Sequence, residues 1–161
     1  MFEQFFNPKS IAIIGASRKK NSAGQGIVKS LLKGGVFNHK TNRPFKGKIY
    51  PINPKATSIL SLKCYKSILD IKGKIDLAII VVPAKIVKFV MNECAKKKIK
   101  GVIIISAGFG EIGIKGQELE HEILSIAKKA KIRIIGPNCL GLIRPSSNLN
   151  ASFGPCMPND G

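Results

Sequence analysis

The sequence has no tryptophan and few other aromatic residues. Of its 161 residues, two are tyrosine and eight are phenylalanine. Proteins that bind single-stranded nucleic acid stack bases on aromatic rings interleaved with basic side chains. Because this chain shows no such interleaving, we expect no nucleic-acid partner.

Groups that catalyse reactions or hold metals are also scarce. His39 lies in a polar stretch and His121 among glutamates, and we expect both to be solvated. The four cysteines lie far apart with no C-x-x-C pair, which argues against a zinc site and favours free thiols in a reducing cytosol. Neither a carboxylate pair at a strand end nor a Ser-His-Asp arrangement is evident. We assign no catalytic residue and no metal ligand, and expect this chain alone to be inactive.

Long apolar runs are missing too. No stretch could cross a membrane, and the first residues do not resemble a signal peptide. We therefore expect a cytoplasmic protein without a membrane partner. The length suits one domain, to which we assign residues 1–150. Residues 151–161 contain two prolines and two glycines, and we interpret them as a linker towards an absent second domain.

Basic residues, in contrast, are abundant. The chain has 27 lysines and arginines against nine acidic residues, a formal net charge of +18. Such a field attracts anions, whether nucleotides, nucleic acid or an acidic partner. The lysines are scattered over nearly every predicted surface, and a lysine- and isoleucine-rich coding bias without any function is the alternative explanation of this composition.

Short apolar runs alternate with amphipathic segments along most of the chain. This alternation predicts an α/β fold, a Rossmann-like, doubly wound and mostly parallel sheet with helices on both faces. The predicted strands are residues 11–15, 48–52, 77–82, 101–105 and 132–135. The predicted helices begin near Gly24 or Gly26, follow Pro83, and span residues 117–131.

The stretch that organises the chain is the end of the first strand, Gly15-Ala16-Ser17, followed by Arg18-Lys19-Lys20. Small residues there let the backbone approach a ligand, and the next helix presents N–H groups and a positive dipole end. We interpret this turn as a seat for a phosphate-bearing ligand. An ordinary strand-to-helix turn is the alternative.

Ligands of open parallel sheets bind at the carboxyl ends of the strands. The later predicted strands deliver small, polar or proline-containing segments to that edge. These are Asn53-Pro54-Lys55, Val82-Pro83, Ser106-Ala107-Gly108 and Gly136-Pro137-Asn138-Cys139. Cys139 is the one candidate nucleophile, although a small residue packed near a ligand is the simpler interpretation.

Lys55 discriminates between ligand classes. A site for NAD normally places a carboxylate at the end of the second strand. A lysine suits a ribose that carries a phosphate, as in coenzyme A or NADP; a solvated lysine is the alternative. The G-x-G-x-x-G at residues 108–113 is interpreted as a decoy, because Glu111 would repel a pyrophosphate and the helical pattern starts only after Gly116.

Taken together, these motifs resemble the coenzyme A-binding domain of NDP-forming acyl-CoA synthetases, which include ADP-forming acetate–CoA ligases and are related to the succinyl-CoA synthetase α-subunit. The matching stretches are residues 6–17, 50–55, 79–84, 105–109 and 135–141. The resemblance implies that Ser17 and its turn hold coenzyme A phosphates and that Lys55 lies near the ribose phosphate. It places Val82-Pro83 along the adenine and pantetheine, and Asn138-Cys139 near the thiol.

The resemblance also implies partners. The family's phosphorylated histidine and its ATP-grasp domain belong to other domains or subunits of the ligase, and residues 37–45 form a longer loop than the family usually has. We therefore expect a coenzyme A-binding module of an acid–CoA ligase. The alternatives are a stand-alone sensor of coenzyme A or nucleotides and an NADP-binding reductase fragment.

Overall fold

The computed structural model describes residues 2–159 and contains nine strands and four α-helices within them. In chain order the strands are β1 (Ser10–Ile14), β2 (Lys48–Ile52), β3 (Ser58–Ile59), β4 (Leu62–Lys63), β5 (Leu77–Ile80), β6 (Gly101–Ile104), β7 (Arg133–Ile135), β8 (Gly141–Arg144) and β9 (Leu149–Ser152). The helices are α1 (Glu3–Phe6), α2 (Ala23–Lys33), α3 (Ala84–Lys96) and α4 (Ile114–Ala130).

Five of these strands form one parallel sheet with the order β2-β1-β5-β6-β7. The chain runs from β1 outwards to β2 in one direction, then returns to β5 and continues in the other. The strand order therefore reverses between β1 and β5, the place where open α/β sheets bind ligands. The predicted Rossmann-like fold is confirmed.

The sheet separates two apolar cores because side chains of a strand alternate between its faces. Ala12 and Ile14 of β1 pack into the core beneath α3 and α4. Ile11 and Ile13 pack into the core beneath α2 and β9. The continuous apolar pattern of these strands is thus explained by burial on both faces.

Both ends of α2 are fixed by local contacts. The Ser22 hydroxyl accepts a hydrogen bond from the Gln25 N–H, which caps the first turn. Gly34 ends the helix in the left-handed conformation with φ of 88°. The predicted start near Gly24 or Gly26 is therefore late by one to three residues.

The start predicted for α4, after Gly116, is wrong. The helix begins at Ile114, because a 3₁₀ turn over Gly110–Ile112 leads directly into it. Gly116 lies inside the first turn and is buried against the Phe109 carbonyl, where a Cβ would overlap. This glycine reflects close packing of the backbone rather than a break before the helix.

Residues 151–157 pack against the domain. The predicted boundary after residue 150 falls inside β9, which pairs antiparallel with β8. Beyond it, the Val36 and Phe37 N–H groups donate to the carbonyls of Gly154 and Pro155. The buried Met157 donates its N–H to the Asn42 side chain. The long loop after α2 thus holds the segment that the sequence assigns to a linker.

Asp76 joins β1 to β5 at the amino-terminal edge of the sheet. Its Oδ2 accepts from the Lys9 N–H at 2.9 Å and the Ser10 hydroxyl at 3.2 Å, and Lys74 pairs with Oδ1 at 3.2 Å. Burial opposes ionisation of this carboxyl, but the hydrogen bonds and Lys74 hold its pKa below the ordinary value.

The helices offer no route across a bilayer: none within residues 2–159 is both long and apolar enough to span one. Over the same residues, no group of three or more His, Cys, Asp or Glu side chains is arranged to hold a metal ion.

Candidate functional site

The turn after β1 lies at the reversal of strand order. Gly15 has φ of 97°, and a Cβ on it would overlap the Val81 carbonyl of the neighbouring turn. Ala16 is buried, and the Ser17 hydroxyl accepts from the Lys19 N–H at 3.0 Å. Only glycine permits this conformation and close approach. The turns after β1 and β5 therefore pack backbone against backbone, and Gly15 lines the groove beside them without a side chain.

Arg18 and its two lysine neighbours are exposed. The Arg18 carbonyl accepts from the Gln25 side chain at 3.3 Å, which ties this loop to α2. Ser17 lies five residues before the Ser22 cap, so the phosphate seat expected from sequence is a loop in front of the helix. The first N–H groups of α2 belong to residues that follow Ser22, and Ser17 is not one of them.

Asn53 links the turn after β1 to the turn after β2. Its Nδ2 donates to the Ala16 carbonyl at 2.8 Å, and its Oδ1 accepts from the Lys55 N–H at 2.9 Å. Lys55 is exposed at the end of this turn. Its backbone position is therefore fixed by Asn53, while its ammonium group remains free to reach a ligand.

The turns after β5, β6 and β7 are joined in series. The Ser106 hydroxyl donates to the Val82 carbonyl at 2.5 Å, and the Ser106 carbonyl accepts from the Asn138 N–H at 3.0 Å. Asn138 itself has a positive φ of 54°. Pro83 is the N-cap residue that precedes α3, and its carbonyl accepts from the Ile86 N–H.

The G-x-G-x-x-G loop after β6 is occupied by its own carboxylate. Glu111 accepts from the N–H of Gly108 at 2.5 Å and of Phe109 at 3.1 Å. The Gly108 hydrogen bond is the main reason that the pKa of this carboxyl is lowered. The N–H groups that would bind a pyrophosphate are therefore already used, and the exposed Ala107 beside them adds no polar side chain.

Cys139 is half-buried behind the turn after β7. Its thiol donates to the Ile104 carbonyl at 3.3 Å, and burial raises its pKa. A thiol that is held protonated in this way is a poor nucleophile at neutral pH. Its environment fits a packing role better than an attacking one.

A groove of about 400 Å³ brings three of the sequence-predicted site residues together: Gly15, Lys55 and Val82. The other predicted residues do not line it: Ala16, Ser17, Arg18, Pro83, Ser106, Ala107, Gly108, Asn138 and Cys139. Ala16 and Ser106 are nevertheless hydrogen-bonded to the turns that do. Three of the predicted residues thus line one groove, and the other nine lie in the turns at the same edge of the sheet.

Ten residues that line the groove were not predicted as site residues, and five of them bring new side chains to it: Lys66, Ser67, Ile86, Phe89 and Glu93. Lys66 and Ser67 arrive there because Tyr65 runs beside Ile52 at the end of β2. The other three lie on α3, which also presents Val90 to the groove, so that residues 86, 89, 90 and 93 share one helical face. Ile86 and Phe89 are 39% and 64% exposed, so this face is left open beside the groove.

Positive charge dominates the groove. Two ion pairs occur within the described part of the chain, Lys74–Asp76 and Lys88–Glu122, and neither includes a groove residue. Lys55 and Lys66 thus lack a carboxylate partner among residues 2–159. Two unpaired ammonium groups beside an apolar groove suit an anionic ligand with an apolar or planar part.

Residues 9–145 match the family described as CoA binding domain. An ADP-forming acetate–CoA ligase from Methanocaldococcus jannaschii is 51% identical over 154 residues, covering 96% of this chain and 20% of that protein. The alpha subunit of an ADP-forming acetate–CoA ligase II from Pyrococcus furiosus is 45% identical, covering 95% of this chain and 31% of the subunit.

Solved structures agree with these relatives. The dinucleotide-forming acetyl-coenzyme A synthetase 1 from Candidatus Korarchaeum cryptofilum, in complex with phosphate and ADP, has a TM-score of 0.86 and 39% identity. The match covers 96% of this chain and 31% of that one. A Pyrococcus horikoshii protein has a TM-score of 0.85 and 46% identity, with coverage of 95% and 33%. This chain spans at most a third of the length of each of these four proteins.

Proposed function

Because the chain belongs to the CoA binding domain family, which it matches over residues 9–145, we propose that its coenzyme A binds along the carboxyl edge of the sheet, in the groove at Gly15, Lys55 and Val82. The observation that carries this proposal is the position of that groove. It lies where the strand order reverses, and its polar rim includes two unpaired lysines.

Each part of coenzyme A has a matching part of this edge. The bare backbone at Gly15 and the loop of Ser17 and Arg18 receive the phosphates, since N–H groups and cations favour them. Lys55 binds the 3′-phosphate of the ribose by a charge-assisted contact. Val82-Pro83 lines the path of the pantetheine, and the turn of Asn138 and Cys139 receives the thiol end.

In the larger protein, this domain supplies coenzyme A to an ADP-forming acid–CoA ligase. The reaction exchanges acyl-CoA, phosphate and ADP for acid, coenzyme A and ATP, through a phosphohistidine on another domain and an ATP-grasp domain or subunit. The names and lengths of the relatives support this assignment. His39 is bonded to Thr41 in the loop after α2, and His121 lies on α4, so neither faces the groove. The four free thiols suit a reducing cytosol.

Calorimetric titration of the 161-residue chain with coenzyme A, dephospho-coenzyme A, NADP, NAD and ATP tests the proposal. We expect coenzyme A to bind most tightly and dephospho-coenzyme A more weakly, because only the former carries the 3′-phosphate. At 100-fold excess over its Kd, a ligand stabilises the folded state by about 2.7 kcal/mol, so melting curves provide a second measurement. Tighter binding of NADP would favour a reductase fragment and overturn the proposal.

A second experiment separates a ligase domain from a sensor. The chain is incubated with labelled ATP, magnesium and acetate, with and without coenzyme A, and assayed for acid-labile phosphoprotein. We expect no label, because phosphoryl transfer requires groups that position the phosphates and a metal. Adding the remaining ligase domains should restore acetyl-CoA formation if this chain serves that enzyme. Failure of that reconstitution would favour a sensor.

A further inference from the structure

The groove contains one carboxylate, Glu93, and its other charged lining residues are the lysines Lys55 and Lys66. It lies on the face of α3 that carries Ile86, Phe89 and Val90. Phosphates would be repelled by this carboxylate, so any contact that it makes with the ligand is with another part.

Glu93 is held in place by a chain of hydrogen bonds. Its Oε1 accepts from the Ser67 hydroxyl at 2.6 Å. Ser67 is itself fixed, because its Oγ accepts from the Leu69 N–H and its own N–H donates to Asp70. This reciprocal capping pattern sets the position of the hydroxyl and therefore of the carboxylate.

The second oxygen of Glu93 has no hydrogen-bond donor or cation among the described residues. A fixed carboxylate oxygen at the wall of a groove is an acceptor for an N–H donor of the ligand. Coenzyme A carries such a donor on a planar group, the exocyclic amine of its adenine.

The neighbouring apolar face fits the same planar group. Phe89 and Ile86 are exposed beside Glu93, at helical spacing. Aromatic side chains stack on bases, and an apolar wall with few polar groups orients a ligand. Lys55 and Lys66 line the same groove, on the segments that follow β2 and Tyr65. A base stacked on α3 would therefore share the groove with two cations that suit its ribose phosphate.

We propose that Glu93, positioned by Ser67, is the residue that recognises the adenine of coenzyme A, by accepting a hydrogen bond from its exocyclic amine while the ring stacks against Phe89. This inference rests on the proposed binding of coenzyme A to the groove. It adds a residue that selects the base, where the lysines select the phosphate.

The test compares coenzyme A with 6-desamino-coenzyme A, in which hydrogen replaces the amine. Calorimetric titration of wild type should show that coenzyme A binds about tenfold more tightly. In Glu93→Ala this ratio should fall to about one. Glu93→Gln keeps an oxygen for Ser67 and places an amide donor where the free oxygen was, so it should lose the preference too. Glu118→Ala, on the exposed face of α4, is the matched control and should keep the wild-type ratio.

The possible results separate the two proposals. If wild type binds neither compound, the proposed function fails. If wild type binds both compounds equally, or if Glu93→Ala and Glu93→Gln weaken both without changing the ratio, Glu93 has only a structural role and the inference is overturned. Should Glu93→Ala fail to fold, the ratio measured with Glu93→Gln decides alone.

Discussion

Gly24, in the first turn of α2, has no room for a side chain. A Cβ there would overlap the carbonyl oxygen of Gly15 and would lie 3.2 Å from its carbonyl carbon and 3.4 Å from the Ala16 Cα. All three are backbone atoms of the turn after β1, so no side chain can move aside. Gly24→Ala must therefore push α2 away from this turn.

Two effects of opposite sign act on the stability of this variant. Alanine is favoured over glycine inside a helix by about 0.8–1.0 kcal/mol. Overpacking costs about 1–3 kcal/mol, and Gly24→Ala belongs at or above the upper end of that range because backbone has to shift. We expect the free energy of unfolding to fall by about 2 kcal/mol, which lowers Tm by about 4–8 °C.

Urea denaturation followed by circular dichroism measures the free energy of unfolding, and a thermal scan gives Tm. Gly26→Ala is the matched control in the same helix. Its Cβ would meet Phe153 Cβ at 3.2 Å and Val36 Cγ2 at 3.6 Å, contacts that small shifts relieve. We expect it to change stability by less than about 1 kcal/mol. A raised or unchanged Tm for Gly24→Ala would show that helix propensity decides here and would refute the close-packing argument.

Other perturbations test the site and its frame. Lys55→Ala should weaken coenzyme A binding by about 1.5–3 kcal/mol in calorimetric titration and leave dephospho-coenzyme A nearly unaffected. Cys139 should react slowly with iodoacetamide near neutral pH, because burial raises the pKa of its thiol and only the thiolate reacts; mass spectrometry of the alkylated peptide measures the rate. Asp76→Asn should destabilise the fold at neutral pH. Since the pKa of the wild-type carboxyl is lowered, this difference should shrink as pH falls below the ordinary value of about 3.9 and through the lowered pKa.

Each of these outcomes has its own control. Lys72→Ala removes a lysine from the opposite edge of the sheet. If this variant lost as much affinity for coenzyme A as Lys55→Ala does, Lys55 would contribute only through the net charge of the protein and not through a specific contact. Cys94, whose pKa burial raises to about 12, should stay unreacted in the folded chain; faster alkylation of Cys139 than of a free peptide thiol would contradict its protonated state. If Asp76→Asn still lowered the free energy of unfolding at low pH, by as much as at neutral pH, ionisation of the Asp76 carboxyl would contribute nothing to stability.

The sheet could be predicted from sequence because its strands are buried on both faces. Runs of four to six consecutive apolar residues, followed by Gly15 or Pro83, leave few alternatives to a parallel strand. The antiparallel pair β8–β9 carries no such signal. Asn150 inside it is buried and donates to the Gly34 carbonyl. A buried asparagine resembles a loop residue until its distant partner is known.

The predicted part of the site follows from strand ends, whereas the missed part comes from helix α3 and from the segment after β4. Gly15 directly follows β1 and Lys55 lies in the turn after β2, so the topology alone places them at the same edge. Ile86, Phe89 and Glu93 follow a helical period that continues the buried face of α3. From sequence, the apolar residues of α3 that stay open to the groove, Ile86 and Phe89, cannot be distinguished from those that are buried in the core. The pairing of Ser67 with Glu93 spans 26 residues and depends on tertiary packing.

The hydrogen bonds that join neighbouring turns affect how the ligand is received. Asn53 connects the first two turns, and Ser106 connects the turns after β5, β6 and β7. A rim assembled in this way has little conformational freedom left to lose on association. Coenzyme A should therefore enter a preformed edge, in a single kinetic phase whose rate rises linearly with ligand concentration, and its dissociation rate should carry most of the effect of changes at the rim.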